Sequence, residues 1–367
     1  MYSQYQLNDT GNLNTPCLIY YTDIIRENIQ TIIRIAGDPE RLWPHIKTHK
    51  SLELIKLQIQ YGIRKFKAAT ISEAEIAAAA GAEKVLLAYP LIGPARKRFL
   101  DLAEAYPSTV FYAVGDDLKQ LGELSELCLQ FNRRMAVLAD VDMGMNRTGV
   151  PVSQLEAFCR MASQLKGISF EGLHCYDGSH EQDFEKRDAE IASLDLEINQ
   201  VISHLLQAGV NCSTVVAGGS PSFPCHARHT DWYLSPGTLI VQDAGYCQSF
   251  PDIPCTPGAA VLSRVVSHPD SDLFTIDLGY KGIAADPPGQ RGYIAGLEDA
   301  EPVMQSEEHW VFRMKNGKNR PPIGTCLYVI PTHICPTTAL YPEILTAENG
   351  SVTGSWNVTA RNRKITY

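Results

Sequence analysis

The sequence predicts an α/β protein: a (β/α)8 TIM-like barrel over residues 15–250, followed by a β domain over residues 255–367. Between residues 42 and 241 short β-like runs alternate with amphipathic helical ones, the pattern of a parallel sheet with crossover helices. Eight such β-then-α repeats are the number a barrel needs. An open doubly wound sheet of the Rossmann type is the next choice, but no GxGxxG follows an early strand. Beyond Pro254 strand-like alternation continues without long helices, which marks the second domain.

The barrel strands are expected at 43–48, 66–70, 85–89, 110–114, 135–141, 168–174, 214–217 and 232–241. Between them, 72–80 reads as a helix closed by Gly81, and 188–206 as one closed near Gly209, because glycine readily takes the left-handed conformation that ends a helix. The β-domain strands are expected at 259–267, 273–278, 310–315, 325–331 and 351–359. Polar stretches with Gly or Pro punctuate them at 286–290 and 315–318, and the second reads as a turn before Pro321-Pro322. Residues 1–14 are too few to fold alone and are expected to join the β domain.

Composition narrows the function. With 44% hydrophobic and 20% charged residues and a net charge of -9, this is an acidic globular chain without a basic block for nucleic acid or anionic lipid. Small-molecule chemistry is favoured. The start, Met1-Tyr2-Ser3-Gln4-Tyr5-Gln6, lacks the apolar core of a signal peptide, and no apolar run reaches membrane-spanning length, so a cytoplasmic location is expected. The 10 cysteines are irregularly spaced without a CxxC pair, which argues against a zinc ribbon or a disulfide scaffold and for buried thiols.

In a barrel the reactive groups collect at the C-terminal ends of the strands. Lys47 ends the first, within Pro44-His45-Ile46-Lys47-Thr48-His49-Lys50. An amine among other potential cations is kept partly neutral, as Schiff-base formation with an aldehyde cofactor requires. Alone, these residues read as a basic surface loop. After the fifth strand comes Asp140 to Gly149, where Arg147 either pairs with a carboxylate or helix end, or holds an oxygen anion of a cofactor ring. The sixth closes on His174-Cys175-Tyr176-Asp177-Gly178-Ser179-His180, and Tyr176 is equally a core residue or a ring contact.

Gly218-Gly219-Ser220-Pro221-Ser222, after the seventh strand, is either a tight left-handed turn or a phosphate cradle of backbone amides and hydroxyls, with Gly237 and Thr238 on the eighth as a weaker addition. Pyridoxal 5'-phosphate (PLP) unites a Schiff-base lysine, a phosphate cradle and polar groups for its ring. In the β domain, His333 and Cys335 lie two apart in a segment read as extended, so both side chains share a face and can share a metal. Zinc suits imidazole and thiolate, and a two-residue site leaves positions open for catalysis. The plainer alternative is a buried cysteine beside an ordinary histidine.

Taken together, the 44–50 stretch, Ser72-Glu73-Ala74-Glu75, Leu87-Ala88-Tyr89-Pro90-Leu91, Met143-Gly144-Met145-Asn146-Arg147-Thr148-Gly149, Gly218-Gly219-Ser220-Pro221 and His333-Ile334-Cys335-Pro336-Thr337 closely resemble the D-threonine aldolase/D-serine dehydratase family. These are PLP enzymes of fold type III, with an alanine-racemase-like fold. The resemblance runs from Thr15-Pro16 to the C-terminal strands. It implies that Lys47 carries the cofactor, Arg147 faces the ring phenolic oxygen, Tyr176 lies near the ring, and Gly219, Ser220, Gly237 and Thr238 hold the phosphate. It implies that His333 and Cys335 are the metal pair. It also implies a homodimer in which the β domain of one subunit closes the barrel mouth of the other. Dehydratase-like members share His-x-Cys, whereas typical D-threonine aldolases carry aspartate where Cys335 stands.

The expected activity is therefore PLP- and zinc-dependent removal of water from a D-3-hydroxy amino acid such as D-serine or D-threonine, giving a 2-oxo acid and ammonia. Lys47 takes the α-proton while the metal assists departure of the β-hydroxyl. If the metal instead favours loss of the hydroxyl proton, the same scaffold is an aldolase releasing glycine and an aldehyde, with His45, His49 or metal-bound hydroxide as the base. An amino-acid racemase and a non-catalytic PLP-binding protein are the remaining alternatives.

Overall fold

A computed structural model describes residues 3–178, 181–315 and 319–367. Most of the expected 315–318 turn and the Ser179-His180 end of the sixth-strand motif fall outside the described residues. The chain divides into two compact units. One comprises Met1–Thr31, Thr48–Ser51 and Thr238–Arg361, the other Ile32–Lys47, Leu52–Gly237 and Asn362–Tyr367. Among the described residues no helix is long and apolar enough to cross a membrane. The cysteines are free thiols, most of them buried.

The chain opens with β1 (Cys17–Tyr21) and α1 (Thr22–Ala36). The unit around residues 52–237 continues with α2 (Leu52–Gln60), β2 (Lys65–Ala68), α3 (Ile71–Ala79), β3 (Lys84–Leu87), α4 (Ala95–Ala105), β4 (Val110–Gly115) and α5 (Leu118–Gln130). Then follow β5 (Met135–Asp142), β6 (Val150–Pro151), α6 (Val152–Ala162), β7 (Ile168–Tyr176), α7 (Phe184–Gln207), β8 (Thr214–Ala217), α8 (Phe223–His226) and β9 (Tyr233–Leu234). Three helix starts are set by side-chain caps: the Thr70 hydroxyl accepts from Glu73 N at 3.1 Å before α3, and Asp117 and Asp183 cap α5 and α7 in the same way. Gly81, at φ +97°, and Gly209, at φ +73°, take the left-handed conformation just beyond α3 and α7, as the sequence predicts.

The closed (β/α)8 barrel is not what forms. The parallel sheet runs β2-β3-β4-β5-β7-β8-β9 with β6 beside β5, and β9 does not pair with β2, so the sheet is a curled, open half-barrel. Two expected strands are responsible. The first, 43–48, contributes only single bridges, Leu42 to Leu234 and His45 to Lys67, before turning into a 3-10 helix at Ile46–Thr48. The eighth shrinks to Tyr233–Leu234 and is followed by a second 3-10 turn at Thr238–Ile240. Both runs contain a proline: Pro44 and Pro236 accept through their carbonyls from Lys67 N and His45 N, but neither has an N–H to extend a ladder.

Inside the curl, Trp43, Leu86, Tyr112, Val114, Leu138 and Val216 form one apolar cluster, because alternate residues of each strand face the same way. Trp43 is fully buried, packs edge-on against Tyr112 and Tyr233 at 5.3 and 5.5 Å, and donates from Nε1 to the Phe66 carbonyl at 2.6 Å.

The other unit adds α9 (Ala244–Ser249), β10 (Ala259–Ser267), β11 (Leu273–Ile276), β12 (Gly292–Ile294), β13 (Ala300–Gln305), β14 (Trp310–Met314), β15 (Cys326–Pro331), α10 (Ile334–Leu340), β16 (Glu343–Glu348) and β17 (Ser351–Asn357). Its sheet runs β13-β14-β11-β10-β1-β16-β17, and β15 pairs with both β10 and β12. Tyr5, Ile19, Tyr21, Leu262 and Tyr328 belong to its core, and the Leu7 amide donates to Tyr328 Oη at 2.9 Å.

Replacing Trp43 with Phe keeps most of the ring packing but removes the indole N–H bond to the Phe66 carbonyl, so Trp43→Phe is expected to cost about 0.5–1.5 kcal/mol. Urea unfolding measures it, and an unchanged midpoint would remove the hydrogen bond from this account.

Candidate active site

A cavity of about 490 Å³ opens in the half-barrel unit, lined by His45, Lys47, Lys67, Arg147, Thr148, His174 and Tyr176 among others. The volume suits a cofactor-sized ligand. Lys47 reaches it from the 3-10 turn and not from a strand end, and its amide lies 3.3 Å from His45 Nδ1. Tyr176, the last residue of β7, is the centre of the arrangement: Lys47 Nζ, Lys67 Nζ and Arg147 Cζ lie 5.7, 5.3 and 5.1 Å from its ring centroid. The electron-rich ring face offsets part of the mutual repulsion of these cations.

Arg147 is aimed by the loop after β5. Asp142 Oδ1 accepts from both Gly144 N and Asn146 N at 3.0 Å, and both residues take positive φ, +101° and +52°. Gly149 returns the loop against β5, where a Cβ would stand 2.4 Å from Asp142 N. Only glycine fits there.

Lys67, His174 and Asp140 form a second line of groups, to which the sequence reading assigned no role. The parallel register sets Asp140 opposite His174, and Asp140 Oδ1 accepts from His174 Nδ1 at 2.7 Å. Burial pushes the Asp140 carboxyl up, but His174, Thr148 and the Lys67 charge together outweigh it and hold the carboxyl below its usual range. Burial lowers His174, with Asp140 opposing, so the imidazole is neutral with its proton on Nδ1. His174 Nε2 is then an acceptor, 3.5 Å from Lys67 Nζ. Burial and the nearby Lys47 charge bring the Lys67 amine down to about 7. The available sequence signal was a second lysine two residues after Lys65 in a short strand, on the same face.

The glycine-rich turn is braced from behind. A Cβ on Gly219 would come within 2.9 Å of the Tyr176 ring, so glycine lets the turn approach it. Gly219 N donates to Ser222 Oγ at 2.9 Å, and Gly237 N donates to Ser220 Oγ at 3.1 Å, which ties the two loops together. Ser222 Oγ in turn donates to Asp177 Oδ1 at 2.6 Å. Asp177 Oδ2 lies 2.8 Å from His226 Nε2, and Asp195 touches both His226 and His229, at 2.9 and 2.8 Å. Burial disfavours charge on His226, yet Asp177 and Asp195 outweigh it and raise the imidazole to about 9. A buried imidazolium between two carboxylates therefore anchors the turn. Sequence reading missed this network because Asp177, Asp195 and His226 sit on β7-following, helical and loop-following segments far apart in the chain.

In the other unit the His333-x-Cys335 segment is not extended. His333 is the N-cap of α10 and Cys335 lies in its first turn. The two side chains nevertheless bear on one another electrostatically, and His333 Nδ1 lies 2.5 Å from Asp286 Oδ2. Burial opposes charge on His333, but Cys335 and Asp286 raise it to about 9. Thr48 Oγ1 and Thr238 Oγ1 approach Cys335 Sγ at 3.2 and 3.5 Å, so Thr238 stands beside this pair. Among the described residues no group of three or more His, Cys, Asp and Glu side chains is arranged to hold a metal ion. A larger cavity of about 1040 Å³ in this unit has no histidine in its lining, and its lysine, Lys315, pairs with Glu301.

The sequence matches the alanine racemase N-terminal domain over residues 21–244 and the putative serine dehydratase domain over residues 258–347. It is 30% identical over 364 residues to the D-threonine aldolase of Arthrobacter sp, covering 96% of this chain and 93% of that protein. The chain belongs to the D-threonine aldolase/D-serine dehydratase family. It is a PLP-dependent lyase of that family, with an alanine-racemase-like fold. The crystal structure of D-threonine aldolase from Filomicrobium marinum superposes with a TM-score of 0.88 at 27% identity, covering 95% of each chain. D-threo-3-hydroxyaspartate dehydratase from Delftia sp. HT23 shares the fold, with a TM-score of 0.80 at 22% identity over 94% of this chain and 97% of that one. The 490 Å³ cavity, with an amine, an arginine and an aromatic face, fits the PLP that the family uses.

Because the folded value of His226 lies above its unfolded value of about 6.5, the stability it supplies is complete below pH 6.5 and lost as pH rises through about 9. Urea midpoints are therefore expected to fall between pH 7 and 10 in the wild type, by on the order of 3 kcal/mol in unfolding free energy, and to fall much less in His226→Gln. Equal slopes for the two proteins would refute the assignment of that charge.

Proposed function

We propose that this lyase acts on D-3-hydroxy amino acids, with D-serine or D-threonine as substrate, and that its reaction is dehydration to a 2-oxo acid and ammonia. The observation that carries this reading is the His333–Cys335 pair at the start of α10, with His333 backed by Asp286. A carboxylate on Nδ1 fixes the tautomer that offers Nε2 to a metal, which is how histidine ligands are commonly oriented. A thiolate with an imidazole favours zinc, and such an ion would supply Lewis acidity to a β-hydroxyl.

PLP, when bound, supplies an electron sink for the bonds at the substrate α-carbon. Lys47 would carry it, and after release by the substrate amine the Lys47 Nζ would take the α-proton. Arg147, always protonated, would face the ring oxygen, and Tyr176 would pack against the ring. The Gly219, Ser220 and Gly237 turn, with Thr238, would hold the phosphate. The Asp177–His226–Asp195 network would keep that turn rigid. The same reading includes a homodimer and a cytoplasmic location.

An aldolase is the second reading. The 30% identity to the Arthrobacter D-threonine aldolase favours it, as does the 0.88 superposition on the Filomicrobium marinum enzyme. Cys335, where the resemblance expects aspartate in aldolases, favours dehydration.

Incubation with D-serine, D-threonine and D-threo-3-hydroxyaspartate is expected to yield 2-oxo acid and ammonia, lost on chelation and restored by zinc. Glycine with an aldehyde and no oxo acid would make the protein an aldolase, and racemisation without loss of total amino acid would make it a racemase. Borohydride reduction of the PLP-loaded protein followed by peptide mapping is expected to label Lys47, and Lys47→Ala to lose both label and turnover. Label elsewhere would sink the assignment of Lys47.

A further inference from the structure

Lys67 is a buried cation without an anion. It lies within β2, only 2% exposed, and lines the cavity. Lys65, two residues earlier, pairs with the Glu40 carboxylate. Among the described residues no carboxylate lies within salt-bridge distance of Lys67, and its nearest polar partner is the neutral His174 ring at 3.5 Å. Burying an ammonium is costly unless it is paired and hydrogen-bonded. The groups that face it are Lys47 and Arg147, which repel its charge, Asp140 and Asp177, which attract it from a distance, His174, and the Tyr176 ring. The cavity lining itself contains no aspartate or glutamate. What is missing from this environment is a negative oxygen, and the cavity is where it can enter.

We propose that Lys67 is the anion-binding cation of this cavity: its ammonium, backed by His174 and Asp140, grips a negatively charged oxygen of the bound ligand. That oxygen belongs either to the cofactor ring or to the carboxylate of the amino acid. The inference rests on the PLP-lyase reading of the cavity and adds a residue to it. His174 and Asp140 are positioning residues here. The Asp140 carboxylate fixes the His174 tautomer, and Nε2 accepts from one Lys67 N–H, leaving the others for the ligand. Because the Lys67 amine is brought down to about 7, chiefly by burial and then by Lys47, its grip is present at pH 6 and mostly lost by pH 8.5.

The test is calorimetric titration with D-glycerate, which carries a carboxylate but no amine to join the cofactor, in protein with and without PLP. Where the anion is the substrate carboxylate, wild-type affinity falls roughly tenfold between pH 6 and 8.5, and Lys67→Met binds roughly tenfold more weakly at pH 6 with a flat profile. Where it is the ring oxygen, Lys67→Met leaves D-glycerate unchanged but weakens PLP binding and moves the pH midpoint of the bound-cofactor absorbance. A Lys67→Met protein with wild-type melting temperature in which none of these quantities moves overturns the proposal. If that variant does not fold, the wild type decides: D-glycerate affinity and cofactor absorbance both flat across this pH range also overturn it. Failure of the underlying reading is separate, because it appears as wild-type protein that binds no PLP at Lys47.

Discussion

The half-barrel unit depends on keeping three cationic side chains around one tyrosine ring. Lys47, Lys67 and Arg147 all point at Tyr176, and at these distances like charges in a partly desolvated space repel strongly. The chain manages this in three ways. The aromatic face offers a weak negative quadrupole; Asp140 supplies a full negative charge one imidazole away; and burial drives the most enclosed amine towards neutrality. The residual positive potential suits a cavity that must receive an anionic cofactor and the carboxylate of an amino acid.

Register makes this possible. In the parallel ladder Asp140 lies beside His174 and Asp142 beside Tyr176, so neighbouring strands deliver acid, imidazole and ring to one end of the sheet. The same Asp142 folds the loop that carries Arg147 back to that ring. Behind Tyr176, the next residue, Asp177, begins the buried Asp177–His226–Asp195 network that stiffens the glycine-rich turn. One strand end therefore orients both the ring face and the turn beside it.

In the other unit the same economy appears at His333. The residue occupies the N-cap position of α10, two residues before Cys335, and carries Asp286 on Nδ1. Asp243 reaches the same segment from another side, accepting from Ile334 N at 3.0 Å while capping α9. Burial raises the Asp243 carboxyl to about 6, with backbone donors from Tyr246 and Ile334 opposing. Two carboxylates thus fix the start of α10, at His333 and at the Ile334 amide.

Much was legible in the chain alone. Alternation of strand and helix, the caps and closing glycines, and the shift of texture beyond Pro254 follow local rules of period and backbone preference, and 214–217 and 259–267 fold within the bounds those rules set. The grouped motifs likewise pointed to the family. Closure of the sheet was not legible, because it turns on whether Pro44 and Pro236 leave enough donors for a ladder, a question of pairing between distant segments. Nor were Lys67 with His174, 107 residues apart, or Asp286 with His333, 47 apart. Periodicity records which face a side chain takes, but the partner that sets its charge comes from another strand or loop, and only the tertiary structure decides that.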